Sequence, residues 1–265
     1  HDTIGSMADL DAASLEDVRN WFRDKYGPNN AVLVLAGDID TATARLLVER
    51  YFGAIPRGPV NTPAQADVPT LTASKTIVQK DRVAATQIRR VWATGGLLDP
   101  DTEALDVAAS VLGGLASSRL DNALVRDEKI AVSVSAYYMP FQRVGQFTVT
   151  AVVKPDVDPA LVEKRVDEIL ADLIANGPTA DEVRRATTTE VAQTIRGLEQ
   201  VGGFGGKAVA LAEGQVYEGD SNSYAKQLAR YSSLTPAEVK AAMQKWLTRP
   251  AVKVRLEPGE RPPYE

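Results

Sequence analysis

Catalysis needs side chains that carry protons, donate electron pairs or hold a metal, and this chain is short of the commonest ones. It contains one histidine, His1, and no cysteine. Most zinc sites, serine–histidine triads and cysteine–histidine pairs depend on imidazole or thiolate. A lone histidine at position 1 reads as a cut-site or loop residue rather than a ligand. Catalysis by these residues alone would rest on carboxylates, lysine or tyrosine, and no spacing isolates such a set. We therefore expect no catalytic residue and no metal ligand in this chain. Gly202-Gly203-Phe204-Gly205-Gly206 has the glycine content of a phosphate loop. It lacks a preceding strand and the Lys-Ser/Thr that would touch phosphate and metal, so it reads as a flexible joint between helices.

Residues suited to binding rather than chemistry lie in two alternating runs. In the first, Ile130, Val132, Val134, Ala136 and Tyr138 share one face, and Ala131, Ser133, Ser135 and Tyr137 the other. In the second, Phe147, Val149, Ala151 and Val153 oppose Gln146, Thr148 and Thr150. The residues between, Met139 to Gly145, include Pro and Gly, so the pattern predicts an antiparallel hairpin. One face must lie under helices. The other, small, hydroxyl-rich and aromatic, either lines a chamber or is an ordinary solvated face. Tyr137 is the candidate substrate-binding residue, since its ring can stack and its hydroxyl can bond to an extended peptide. Filling a structural position is the competing reading.

Two helices must position this hairpin. Ala104, Leu105, Val107, Ala108, Val111 and Leu112 recur at helical spacing and stop at Gly113-Gly114. Ser117-Ser118-Arg119-Leu120 opens a second helix ending near Lys129. The composition is that of a soluble globular protein, 44% hydrophobic and 25% charged over 265 residues. A net charge of -5 argues against a nucleic-acid partner. No apolar run is long enough for membrane insertion.

The chain also repeats itself. Ser14-Leu15-Glu16-Asp17 has the form of a capping box, followed by an amphipathic helix to Gly27-Pro28 and an apolar run, Ala31 to Ala36, that predicts a strand buried on both faces. Thr235-Pro236-Ala237-Glu238 opens a similar unit, a helix to Leu247 and a strand from Ala251 to Leu256. Such self-similarity suggests two copies of one domain. Further helices are expected at about 41–52, 159–176, 179–199, 207–217 and, capped by Ser221, 221–231. Strands are expected at 75–80 and 85–93. Pro56, Pro59, Pro63 and Pro69 punctuate a stretch without periodicity, which reads as a semi-extended, exposed linker. The expected division is residues 1–55 as the end of a truncated first domain, 56–73 as linker and 74–265 as a complete second domain.

Several motifs carry a family resemblance. Ile4 to Leu10, Tyr26-Gly27-Pro28-Asn29-Asn30-Ala31, Gly37-Asp38 and Tyr51 to Pro56 resemble the latter part of the catalytic domain of pitrilysin/insulinase-type zinc peptidases. Leu112-Gly113-Gly114, Ser118-Arg119-Leu120 and Ala131 to Ala136 resemble the second domain of the same group, which includes mitochondrial processing peptidase. The resemblance implies paired α+β domains, each with roughly six strands and helices on one face. Four such domains close around a chamber where zinc, held by His-x-x-Glu-His and a distant Glu, activates water for peptide hydrolysis. Those ligands would lie in an N-terminal segment upstream of His1, because no His-x-x-Glu-His occurs here.

The family also places an Arg and a Tyr, seven residues apart, in the partner half. Their positions here hold Val125 and Val132, both expected in the core; Arg126 is one place off and is not assigned the role. The resemblance therefore implies part of a zinc endopeptidase half that supplies chamber wall and contacts to a second two-domain half. The alternative is a non-catalytic scaffold or core subunit of the same architecture. Relatives are often periplasmic, so resemblance alone favours that compartment.

Overall fold

A computed structural model describes residues 5–261; His1, and Ile4 of the first family motif, lie outside them. The helices are α1 (Met7–Ala12), α2 (Leu15–Lys25), α3 (Thr41–Phe52), α4 (Thr102–Ala109), α5 (Pro159–Asn176), α6 (Ala180–Glu199), α7 (Lys207–Glu213), α8 (Ser223–Ser233) and α9 (Pro236–Trp246). The strands are β1 (Lys75–Asp81), β2 (Gln87–Gly95), β3 (Ala131–Pro140), β4 (Val144–Val153) and β5 (Val252–Pro258). The chain divides into two compact units, one of His1–Ala64 with Gly197–Tyr224, the other of Gln65–Arg196 with Ala225–Glu265.

In the first unit, local chemistry forms the helices. The Ser14 hydroxyl accepts the Asp17 amide at 3.1 Å, and the Asp17 carboxylate accepts the Ser14 amide at 2.9 Å. The Ser14 hydroxyl, which also donates to the Asp17 carboxylate at 2.6 Å, and then the Ser14 amide hold that carboxyl below its usual range. Asp40 caps α3 through the Thr43 amide. Asn29 receives the Gly58 amide at 2.7 Å, and Asn61 donates to the Asp24 carbonyl at 3.0 Å. The first part of the proline-rich stretch is thus pinned to the end of α2 instead of running free. Glycine is needed there, since a Cβ on Gly27 would stand 2.7 Å from the Gly58 nitrogen. The strand expected at Ala31 to Ala36 does not form: the segment belongs to no sheet among the described residues, and Val32, Leu33 and Leu35 stay exposed. An apolar run supplies extended propensity, but a strand needs a neighbour to pair with. None of the residues of α1, α2 or α3 is buried.

In the second unit, five strands among the described residues form one sheet in the order β1-β5-β2-β4-β3. β1 and β5 are parallel; the other neighbours are antiparallel. Helices α4, α5 and α9 pack on one face, burying Leu105, Val107, Val162, Leu173, Val239 and Met243 against Ile88, Phe147 and Val149. Trp92 meets Phe147 edge-on at 6.2 Å. α4 continues as a π-helical turn through Ser110–Gly114. There Gly113 is a contact residue rather than a terminator, since a Cβ would approach the Ala136 nitrogen to 2.7 Å. The helix expected after Ser117 is largely a π-helical stretch, Asp121–Asp127, and α8 begins two residues after the expected cap, Ser221.

Charge is also organised on the covered face. Arg90, only 2% exposed, reaches Asp167 of α5 at 3.0 Å. Lys253 pairs with Asp167, and Arg255 with Glu163 one turn earlier on α5. A buried guanidinium without such partners would cost several kcal/mol. Arg119, from the Ser-Arg-Leu motif, makes a bidentate bond to Glu182 at 2.8 and 2.9 Å and also reaches Asp172 and the Gly177 carbonyl. It fastens the start of α6 to the end of α5. With Arg119 and the Thr179 amide and hydroxyl around it, the Glu182 carboxyl falls to about 2.

Candidate functional site on the open sheet face

The side of the sheet away from α4, α5 and α9 is built by the period-2 alternation of its strands. One row across it reads Lys75, Val252, Val91, Thr148 and Tyr137 from β1 to β3; the next reads Ile77, Val254, Arg89, Thr150 and Ser135. Apolar residues thus occupy the β5 side and hydroxyls the β3 side. Ser133, Ser135, Tyr137 and Met139 are exposed, whereas Thr148 is fully buried in the middle of its row. Its Oγ1 accepts a hydrogen bond from Gln146 Nε2 at 2.8 Å. The face is therefore partly polar, with hydroxyls exposed along β3 and one side-chain hydrogen bond within β4.

At one end of this face lies an apolar groove of about 880 Å³, within the range of small-ligand pockets. Val91, Ala93, Val144 and Val252 of the sheet line it, together with Phe141 of the hairpin connection and Leu71. Its rim is tied down. The Leu97 amide donates to the Phe141 carbonyl at 2.9 Å, and the Phe141 amide to the Val144 carbonyl at 3.2 Å. The sequence pattern missed this groove because Leu71, Phe141 and Arg249, which also lines it, belong to three separate connecting stretches. The one available signal was the Pro- and Gly-containing connection of the hairpin.

Tyr137 stands on the open face, 39% exposed, beside Thr148 and outside the groove. Val125 is partly buried against the core, as expected, but Val132 is not a core residue: it is 55% exposed. The cause is a β-bulge between Ala131 and Ser133, which breaks strict alternation, buries Ala131 and leaves Val132 outside. Arg126 bonds to Asp121 and to the Ala116 carbonyl. Among the described residues no group of three or more His, Cys, Asp or Glu side chains is placed to hold a metal ion. The donor set among the described residues does not fit zinc. No described helix is long and apolar enough to cross a membrane.

A largely antiparallel sheet with helices on one face and the other face open defines an α+β module. The chain belongs to the family described as the Peptidase M16 inactive domain, whose model matches residues 12–189. An uncharacterized zinc protease of Streptomyces coelicolor is 27% identical over 259 residues, covering 95% of this chain and 55% of that protein. The zinc protease PqqE of Helicobacter pylori is 24% identical over 199 residues, covering 74% and 45%. The chain thus spans about half the length of these relatives. A solved M16 inactive domain from Pseudomonas fluorescens shares the fold at a TM-score of 0.80 and 22% identity, covering all of this chain and 62% of that one. A Helicobacter pylori protease structure gives 0.83 at 20% identity, covering 96% and 61%.

Proposed function

We propose that this chain is part of one half of a zinc-dependent endopeptidase and that it supplies chamber wall rather than the metal site. The observation that carries the reading is the open sheet face, where a hydroxyl-rich surface with Tyr137 adjoins an apolar groove. The relatives' description as zinc proteases supports it. In this reading residues 1–55 end a zinc-bearing type of domain, residues 56–73 connect, and residues 74–265 form the second, non-catalytic domain. The zinc ligands stand in an upstream segment. An Arg/Tyr pair comes from a second two-domain half, because Val125 and Val132 occupy those positions here. Tyr137 contacts peptide through its ring and hydroxyl.

The test uses the full-length protein together with its partner half. Hydrolysis of an unfolded polypeptide should be abolished by a chelator and restored by zinc. Tyr137→Ala should raise KM about three- to tenfold with kcat retained, as expected for loss of uniform binding. Activity that survives chelation, or an unchanged KM, would count against this assignment. The family model's description as an inactive domain favours one second reading, a non-catalytic scaffold subunit. That reading predicts a full-length protein that binds no zinc.

A further inference from the structure

We propose that the groove at the end of the open face holds the carboxy-terminal end of an extended peptide, with apolar side chains in the trough and the terminal carboxylate on Arg143 and Arg249. This rests on the open face being a wall that peptide meets. Both arginines line the groove. They differ from the arginines of the covered face, where Arg90 and Arg255 have carboxylate partners. Among the described residues no carboxylate pairs with Arg143, and its Nε is buried without a hydrogen-bond partner. Its guanidinium charge is thus met by no carboxylate of the described residues and is left to an anion in the groove. Arg249 is held in place by a different pair of contacts: its Nε donates to the Lys245 carbonyl at 3.1 Å, and its guanidinium lies 4.1 Å from the Trp246 ring centre. No carboxylate pairs with Arg249 among the described residues either. Its position is fixed while its charge remains available.

The lining selects the rest of the ligand. Val91, Val144, Phe141 and Leu71 favour apolar side chains. Thr70, Gln142 and Gln146 also line the groove and can bond to peptide N–H and C=O groups. A fatty acid has a carboxylate and an apolar chain but no amides to meet those residues. The wall is preorganised: a Cβ on Gly96 would stand 2.5 Å from the Arg143 carbonyl carbon, so the hairpin connection is packed directly on that backbone. A trough lined by two arginines suits the one negative charge common to every peptide end, and Arg forks match carboxylate geometry.

The experiment measures fluorescence anisotropy of the 265-residue chain with an amino-terminally labelled octapeptide ending in Leu-Val-Leu, as free acid and as amide. The acid should bind at least about tenfold more tightly, the size of a charge-assisted pair. Arg143→Gln should remove that preference while leaving amide binding unchanged. Gln142→Glu, which adds a negative charge at the rim, should weaken acid binding more than amide binding. Equal binding of acid and amide would overturn the proposal. So would displacement of the acid by dodecanoate at lower concentration than by unlabelled peptide. The outcome is separable from the peptidase reading. A full-length protein without zinc-dependent hydrolysis sinks that reading even if the preference is present, whereas intact hydrolysis without the preference sinks only this one.

Discussion

Two helix–turn–apolar-run units in the same chain begin alike and end differently. Ser14 and Asp17 close a capping box at the start of α2, and Thr235 and Glu238 close the same box at the start of α9. Past the cap they diverge. α9 buries Val239, Ala242, Met243 and Trp246, and β5 after it sits between β1 and β2. α2 buries nothing, and Ala31 to Ala36 after it joins no sheet among the described residues. A cap is made by residues three apart and forms wherever they occur. A strand is made by a neighbour, and a helix is held mainly by what its apolar face meets.

The largest expected effect separates the two units directly. Phe147, fully buried between sheet and helices, should cost about 3–5 kcal/mol on substitution to Ala in a denaturant titration. Phe22→Ala on exposed α2 should move the main transition by less than about 0.5 kcal/mol. A comparable loss from both would erase the distinction. Next comes pH. The Glu182 carboxyl, lowered from 4.5 to about 2 chiefly by the Arg119 hydrogen bonds, contributes stability that is fully present above about pH 4.5 and is lost as the pH falls towards 2. Glu182→Gln should cost about 2 kcal/mol at pH 7 and progressively less below pH 4.5, read from unfolding curves at several pH values. A variant whose deficit stays constant down to pH 2 would show that charge is not the cause. The smallest effect is in the caps. Thr235→Ala should cost about 1 kcal/mol in the main transition, and Ser14→Ala should leave that transition unmoved while fraying α2 in circular dichroism.

What could be read from residues alone follows the same division. The ends of α3 and α5 were legible because Gly53 and Gly177 stop strongly periodic runs. The faces of β4 were legible from strict alternation, Phe147 to Val153 inward. The bulge that turns Val132 outward was not, since it depends on how β3 meets β4 rather than on β3 itself. Nor was the close approach of Gly113 to Ala136, where a contact between helix and strand looked like a helix stop. The candidate site divides likewise. Tyr137 was legible as an exposed aromatic on a hydroxyl-rich strand face, while the groove was not, because residues such as Arg143 and Arg249, more than a hundred positions apart, line it together only in the folded chain. The buried Arg90, neutralised by Asp167 across the two layers, left no local trace at all.

Amide hydrogen exchange across the two apolar runs tests the central contrast most directly. Amides of β5, paired on both sides, should exchange only through unfolding of the second unit, whereas those of residues 32–36 should exchange within the first time points. Matching protection in both runs would mean that the first run already has a strand neighbour, and the difference drawn between the two units would be wrong.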